Sequence, residues 1–122
     1  MTRPLTEITN DITGVSINSN RIELPAGTYR VSGHATAYDS NRHRCGLYNT
    51  DDSSFSVLGS VSDARGSSIQ TDSFIVGKFT LAATKHVELQ HYSTDTKNTT
   101  GLGQPLSEGN EIYANLEIWK IN

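Results

Sequence analysis

The amino-acid sequence predicts an all-β protein: an eight-stranded antiparallel jelly-roll sandwich that forms a homotrimer. Three observations support this prediction. Apolar and polar residues alternate with period two along several stretches, the pattern of strands, whose successive side chains point to opposite faces of a sheet. Runs rich in Gly, Ser, Thr and Asn separate those stretches, as turns between strands do. The last stretch, 111–121, is patterned on both faces and therefore predicts cover by a second subunit.

The final stretch gives the clearest strand signal in the chain. One face is aliphatic and belongs in a core, whereas the other mixes carboxylates with the only Trp, a Tyr and an Ile. A mixed second face of this kind is typical of a surface that a partner covers. The core face carries Ile112, Ala114, Leu116 and Ile118, and the second face carries Glu111, Tyr113, Asn115, Glu117, Trp119 and Ile121.

The chain as a whole divides into a lead-in segment, 1–11, and a jelly-roll domain, 12–122. The lead-in is polar and shows no sustained period. The predicted strands are 12–17, 21–24, 28–38, 42–49, 55–61, 72–81, 85–94 and 111–121. If successive strands run antiparallel, parity places the loops 18–20, 39–41, 62–71 and 95–110 at one end of the sandwich. The loops 25–27, 50–54 and 82–84 then lie at the other end, beside both termini.

Composition excludes several classes of partner. The 122 residues carry a net charge of −3 without a basic patch, so we expect no nucleic-acid partner. No apolar run approaches membrane-spanning length, so we expect no membrane insertion. Hydrophobic residues make up 34% of the chain, a low share that fits a protein stabilised in part by oligomerising. The single Cys45 lies mid-strand and is predicted to be a buried thiol.

The homotrimer contacts are predicted on the second faces of three strands. Side chains of 28–38 and 42–49 that point away from the predicted core include arginines, a histidine and a tyrosine. Buried arginines need carboxylate partners, so we expect Arg–Glu pairs between subunits. The predicted interface residues are Arg30, His34, Arg42, Arg44, Tyr48, Tyr113, Glu117 and Trp119.

Motifs for catalysis or metal binding are missing from the sequence. We find no nucleophile elbow, zinc-protease helix or phosphate loop, and we predict no catalytic residues, no cofactor and no metal site. His86 and His91 fall on opposite strand faces and cannot chelate together. Two alternatives stay open: His34 or His43 holding an ion on a threefold axis, and paired glutamates cleaving a glycoside.

A resemblance adds to this picture. The chain contains, in order, Leu24-Pro25-Ala26-Gly27-Thr28-Tyr29, Asn41-Arg42-His43-Arg44, Leu47-Tyr48-Asn49, Gln70-Thr71-Asp72-Ser73-Phe74-Ile75, Phe79-Thr80-Leu81-Ala82-Ala83, Glu88-Leu89-Gln90-His91, Glu111-Ile112-Tyr113 and Glu117-Ile118-Trp119-Lys120. This ordered set, within 22–120, resembles the C-terminal domains of tailed-bacteriophage tail fibres and related virion proteins. The predicted architecture is similar to the tumour-necrosis-factor-like jelly roll of trimeric phage knobs.

The resemblance implies a homotrimeric tip in the virion, at the end of a tail fibre or tail, joined to an upstream fibre shaft. We therefore expect a non-enzymatic receptor-binding tip that engages a host cell-surface glycan or protein. The alternative is a purely structural trimerising cap with no specific ligand, and a depolymerase fragment is a third possibility. The predicted ligand-binding residues lie in the two long loops: Asp63, Arg65, Ser67, Gln70, Thr96, Lys97, Asn98 and Thr99.

Overall fold

The computed structural model describes residues 2, 3, 5, 10–39, 41–66, 69–94 and 114–121, and within them the chain forms strands and no helix. The strands are β1 Ser16–Asn18, β2 Arg21–Leu24, β3 Gly27–Tyr38, β4 Asn41–Asn49, β5 Ser54–Leu58, β6 Ser62–Ala64, β7 Gln70–Leu81, β8 Lys85–Ser93 and β9 Ala114–Lys120. The predicted all-β class is confirmed.

Two antiparallel sheets enclose one core. The larger sheet has the order β1-β2-β8-β4-β5, with β6 paired to β4, and the smaller sheet has the order β7-β3-β9. In the smaller sheet β3 pairs along its whole length with β7, from Gly27 opposite Leu81 to Tyr38 opposite Gln70. Its other edge pairs with β9. This arrangement is compatible with a β-sandwich.

The core follows the predicted alternation. Buried residues of both sheets form one cluster: Ile22, Leu24, Tyr29, Val31, Ala35, Cys45, Leu47, Ile75, Phe79, Leu81, Val87 and Leu89. Ala114, Leu116 and Ile118 of β9 pack against this cluster, as the sequence predicts, while Ile112 lies outside the described residues. Cys45 is confirmed as a buried thiol, and burial raises its pKa.

Gly33 allows β9 to lie against β3. A Cβ atom at Gly33 would stand 2.3 Å from the backbone oxygen of Asn115 and 3.1 Å from the Cα of Leu116. Real Cβ atoms do not approach backbone this closely, so only glycine fits. The position of β9, and of every side chain that it carries, therefore depends on the missing side chain at Gly33.

The short strands differ from the prediction. The first strand covers Ser16–Asn18 rather than 12–17, and β6 lies inside the predicted loop 62–71. The turn from β1 to β2 passes through Ser19 and Asn20, both with positive φ, which suits a tight hairpin. A strand of three residues is too short to show an alternating pattern, so the sequence could not reveal β6.

Loop placement agrees with strand parity for the loops between the long strands, whereas the turn 18–20 lies beside the middle of β8 and not at the end of the sandwich. At one end, which we call the loop end, the Asp39 backbone N–H donates to Ile69 (3.1 Å) and the Thr94 N–H donates to Arg42 (2.9 Å). At the opposite end, which we call the C-terminal end, the Ile121 N–H donates to Thr28 (2.8 Å). Residues 50–53 lie at this second end, because the Thr50 N–H donates to His86, near the start of β8.

The N-terminal residues correct one prediction. Thr2 forms a bridge with Gln90, the Arg3 N–H donates to Leu89 (2.7 Å), and Arg3 is buried. Thr2 and Arg3 of the predicted lead-in therefore pack on the edge of β8. The expectation that the terminus lies at the C-terminal end is wrong for Thr2, which lies past the middle of β8. A polar segment with no period gave no sign of this pairing.

Candidate functional site

The outer face of the smaller sheet, which we call the smaller-sheet face, carries large apolar side chains in contact with solvent. Its middle strand presents polar residues, and the flanking strands present Phe74 and Val76 on one side and Trp119 on the other. Phe74 is 57% exposed, Val76 75% and Trp119 47%. Because β9 also packs against the core, this sheet has apolar groups on both faces. Such a face is typical of a surface that a partner covers.

The middle of this face is polar and ordered. Arg30 lies between Lys78 and Trp119, and Ser32 lies between Val76 and Glu117. Further along, the Thr36 hydroxyl donates to Asp72 Oδ1 at 2.6 Å. Apolar side chains of the flanking strands therefore lie on both sides of a row of polar residues on β3. This arrangement suits a specific interface better than a simple hydrophobic patch does.

The predicted interface residues divide between two opposite surfaces. Arg30, His34, Glu117 and Trp119 are on the smaller sheet, whereas Arg42, Arg44 and Tyr48 are on β4 of the larger sheet. Tyr113 lies outside the described residues. The structure therefore places these residues on two surfaces of one subunit, and their meeting in a seam between subunits stays a prediction. Alternation identifies the residues that point away from the core, but it does not reveal which sheet a strand joins.

The predicted ligand residues are described only in part. Asp63, Arg65 and Gln70 are exposed near the loop end, with Arg65 Nη2 3.4 Å from Asp63 Oδ2. The Gly66 N–H donates to Asp39 Oδ1 (3.2 Å), which ties this loop to the turn after β3. The other predicted ligand residues, Ser67, Thr96, Lys97, Asn98 and Thr99, lie outside the described residues.

A buried polar cluster lies inside the sandwich. Nδ1 of His43 and Nε2 of His91 share a hydrogen bond of 2.9 Å, and Nε2 of His43 bonds the Thr71 hydroxyl at 2.8 Å. Burial lowers the pKa of His43, and burial together with Arg3 and His43 lowers the pKa of His91 to about 3. Both rings are therefore neutral near pH 7.

This cluster excludes His43, but not His34, from the predicted alternative of an ion on a threefold axis. His43 is 2% exposed in the core, so it cannot lie at a threefold axis on the surface. The sequence places His43 and His91 on core-facing positions of their strands, but it does not give the register that puts Cys45 opposite His91. That register was the missing information, because neighbouring strands can slide in steps of two without changing faces.

A charged cluster lies at the C-terminal end of the larger sheet. His86 Nδ1 is 2.9 Å from Asp51 Oδ2, and its Nε2 is 3.2 Å from Glu23 Oε1. The hydrogen bond with Asp51 raises the pKa of His86 and lowers the pKa of Asp51. His86 is on the outer face and His91 is in the core, as the sequence predicts. Across the described ranges no group of three or more His, Cys, Asp or Glu residues is arranged to hold a metal ion.

No known protein family, curated protein or solved structure matches this chain. The resemblance to phage tail-fibre domains therefore stays a prediction. In the part of the chain that the structure describes, no helix has the length and apolar character needed to cross a membrane.

Proposed function

We propose that this chain forms the homotrimeric jelly-roll tip of a phage tail fibre or related virion protein, and that the trimer binds a host cell-surface glycan or protein. The smaller-sheet face carries the proposal. It exposes Phe74, Val76 and Trp119, three large apolar side chains that one partner can cover together, in a chain with a low hydrophobic share. The count of three and the virion setting come from the resemblance.

The strand order supports the jelly-roll part of the proposal. Successive long strands alternate between the two sheets: β2 and β4 in the larger, β3 and β7 in the smaller, β8 in the larger again, and β9 in the smaller. Double-sheet jelly rolls are built from such crossings. In this arrangement the last strand, β9, is an edge of the smaller sheet, where a second copy can approach it.

We assign the smaller-sheet face to the subunit interface and leave the larger sheet on the outside of the trimer. Of the predicted interface residues, Arg30, His34, Glu117 and Trp119 then lie at the contact. Arg42, Arg44 and Tyr48 lie on the opposite surface of the sandwich and face solvent. In a closed ring of three each subunit offers a different patch to each of its two neighbours, and we place both patches on the smaller-sheet face.

The receptor-binding part of the proposal is supported by what the trimer leaves accessible. The loop end carries Asp63, Arg65 and Gln70, which are exposed polar groups able to bond hydroxyls or a protein backbone. Three copies of a weak site give avidity, which suits attachment to a cell surface. The competing function is the structural cap, for which the interface alone would suffice.

The mass of the protein in solution tests the assembly. Light scattering on the native chain is expected to give three subunits. Val76→Asp places a charge at the most exposed apolar position of the smaller-sheet face, which a free monomer tolerates and a buried interface does not. We expect this variant to give the mass of one subunit while it keeps its β-rich circular dichroism. Tyr92→Asp, at a 51% exposed aromatic on the larger sheet, is the matched control and is expected to remain a trimer.

Adsorption tests the receptor function. Labelled native trimer is expected to adsorb to cells of a susceptible bacterial strain, and the Val76→Asp monomer to adsorb at least tenfold less, because it loses avidity. A native mass of one subunit would overturn the trimer. A stable native trimer that adsorbs to no strain of the host range would favour the structural cap.

A further inference from the structure

The outer face of the larger sheet carries three aromatic rings, of which the middle one contacts the other two. The ring of Phe55 on β5 lies 5.1 Å from Tyr48 on β4 and 6.0 Å from Tyr92 on β8, with an angle of 74° in both pairs. We call these residues the aromatic cluster. It crosses three neighbouring strands, and Tyr92 is 51% exposed, so part of the cluster is open to solvent.

Gly46 holds the cluster in place. A Cβ atom at this position would stand 2.7 Å from Cδ1 of Phe55 and 2.8 Å from Cε1, so the Phe55 ring occupies the space that a side chain would take. On β4 Gly46 lies between Arg44, which is opposite Tyr92, and Tyr48. The ring therefore leans across β4 and reaches the tyrosines on both sides. Rings fixed by packing need no reordering when a ligand arrives, which favours binding.

A polar cleft of about 550 Å³ lies on the same sheet, along β1, β2 and the first half of β8. Hydroxyl, amide and charged side chains line it, among them Ser16, Asn18, Asn20, Arg21, Glu23 and Glu88. Glu88 links the two features, because it lines the cleft and is directly opposite Tyr48 in the strand register. Its carboxylate accepts a hydrogen bond from the Thr2 hydroxyl and lies 3.9 Å from Arg21, so its position is fixed.

We propose that this surface, the aromatic cluster together with the polar cleft, is a saccharide-binding site for an uncharged oligosaccharide. A sugar ring has an apolar C–H face that packs on aromatic rings and a rim of hydroxyls that needs polar partners. Here the two kinds of group lie side by side. The charged groups of the cleft are paired with one another, Glu23 with His86 and Glu88 with Arg21, so they suit hydroxyls better than an anionic ligand.

The polar groups beside the cluster fit the same ligand. The Tyr92 hydroxyl donates to Gln90 Oε1, which leaves the amide N–H₂ of Gln90 able to donate to a sugar oxygen. Arg44 is anchored by a hydrogen bond from its Nε to the carbonyl of Gly59 at 2.7 Å. The site therefore offers donors and acceptors on two sides of the rings. This inference rests on the proposed function, because it names the ligand class and moves the binding site from the loops to the larger sheet.

The test uses the native trimer and a printed array of neutral hexose, N-acetylhexosamine and uronate oligosaccharides. Binding is expected to be confined to neutral sugars. Tyr92→Ala and Tyr48→Ala are each expected to weaken that binding at least tenfold without loss of the trimer. Gly46→Ala keeps all three aromatics but displaces the Phe55 ring, and it is expected to weaken binding as well. Ile69→Ala, which removes a 43% exposed apolar side chain at the loop end, is the control and is expected to bind normally.

Cell adsorption, measured in parallel, separates this inference from the proposed function. Adsorption that survives in the Tyr92→Ala trimer but is lost when residues 96–103 are replaced by a Gly-Ser linker would overturn the inference and leave the receptor function standing. Saccharide binding that depends on Tyr92, in a protein that adsorbs to no host, would support the inference and overturn the receptor function. If the native trimer binds no saccharide, or if Tyr92→Ala and Tyr48→Ala bind as well as native, the aromatic cluster is only packing over Gly46 and the inference fails. Thermal melting of each variant excludes misfolding as the cause of lost binding, and Tyr92→Gln is a second variant at the exposed position.

Discussion

The two outer faces of the sandwich differ in how their side chains are partnered within the subunit. On the larger sheet, Phe55 lies between two tyrosines and the cleft charges are paired with one another. On the smaller sheet, Val76 and Trp119 lie on the two strands that flank β3, and the polar residues of β3 lie between them. The first surface is organised before any partner arrives. The second exposes apolar area whose burial would be favourable, and the comparison therefore assigns ligand binding to one face and assembly to the other.

Glycine substitution is expected to have the largest effect on the free energy of unfolding, and the loss is expected to differ between Gly33 and Gly46. Gly33→Ala drives a methyl group into the backbone of β9, which cannot rotate away, so we expect a loss near the upper end of the usual range for overpacking, about 3 kcal/mol. Gly46→Ala meets the edge of the Phe55 ring rather than backbone, and displacing a side chain costs less than displacing a strand, so the loss is expected to be smaller, about 1 kcal/mol.

Urea unfolding of both variants measures this difference, provided that the slope of the transition is unchanged. Gly33→Ala is also expected to weaken the trimer, because β9 carries Trp119 and Glu117. Equal losses for the two variants would show that β9 is not held to β3 as closely as the structure indicates.

Acid is expected to have the next largest effect, and it acts beneath the larger sheet. The folded pKa of His91, about 3, is below the unfolded value, so the unfolded state binds the proton first as the pH falls. Stability is therefore present at neutral pH and is lost between pH 6.5 and about 3. At pH 5 the loss from His91 amounts to roughly 2 kcal/mol. His86 works in the opposite direction, because its raised pKa favours the folded state on acidification.

Unfolding free energies at pH 7 and pH 5 check this expectation. His91→Gln is expected to reduce the difference between the two, even if it lowers stability at pH 7. Ile69→Ala removes an exposed apolar side chain at the loop end and is the matched control, so its difference between pH 7 and pH 5 should equal that of the native protein. An unchanged difference in His91→Gln would mean that the buried pair is not the acid-sensitive element.

Much of the fold is predictable from the sequence because alternation is a local signal. It identifies the core side of the long strands and the buried thiol of Cys45 correctly. It does not give the partner of each strand, which depends on contacts between residues far apart in the chain. For that reason the sequence joins Tyr48 and Trp119 in one interface, whereas the structure puts them on opposite surfaces.

The candidate site is less predictable for the same reason. Tyr48, Phe55 and Tyr92 come together only through the register of β4 with its two neighbours. Nothing local in the sequence connects Tyr92 with Phe55. Arg3 is a further case, since its burial accompanies the contact of Thr2 and Arg3 with β8, which no local pattern predicts.

Protection of side chains from hydroxyl-radical labelling tests most directly whether the smaller-sheet face is used for assembly and the larger sheet is left accessible. Trp119 is 47% exposed and Tyr92 51% exposed in the single chain, so the two start almost equal. Hydroxyl-radical labelling of each residue in the native protein is compared with the same residue in the Val76→Asp monomer, which cancels the difference in intrinsic reactivity. We expect Trp119 to be protected several-fold in the native protein and Tyr92 to be labelled equally in both. Equal labelling of Trp119 in the two proteins, or protection of Tyr92 instead, would contradict the assignment of the smaller-sheet face to assembly.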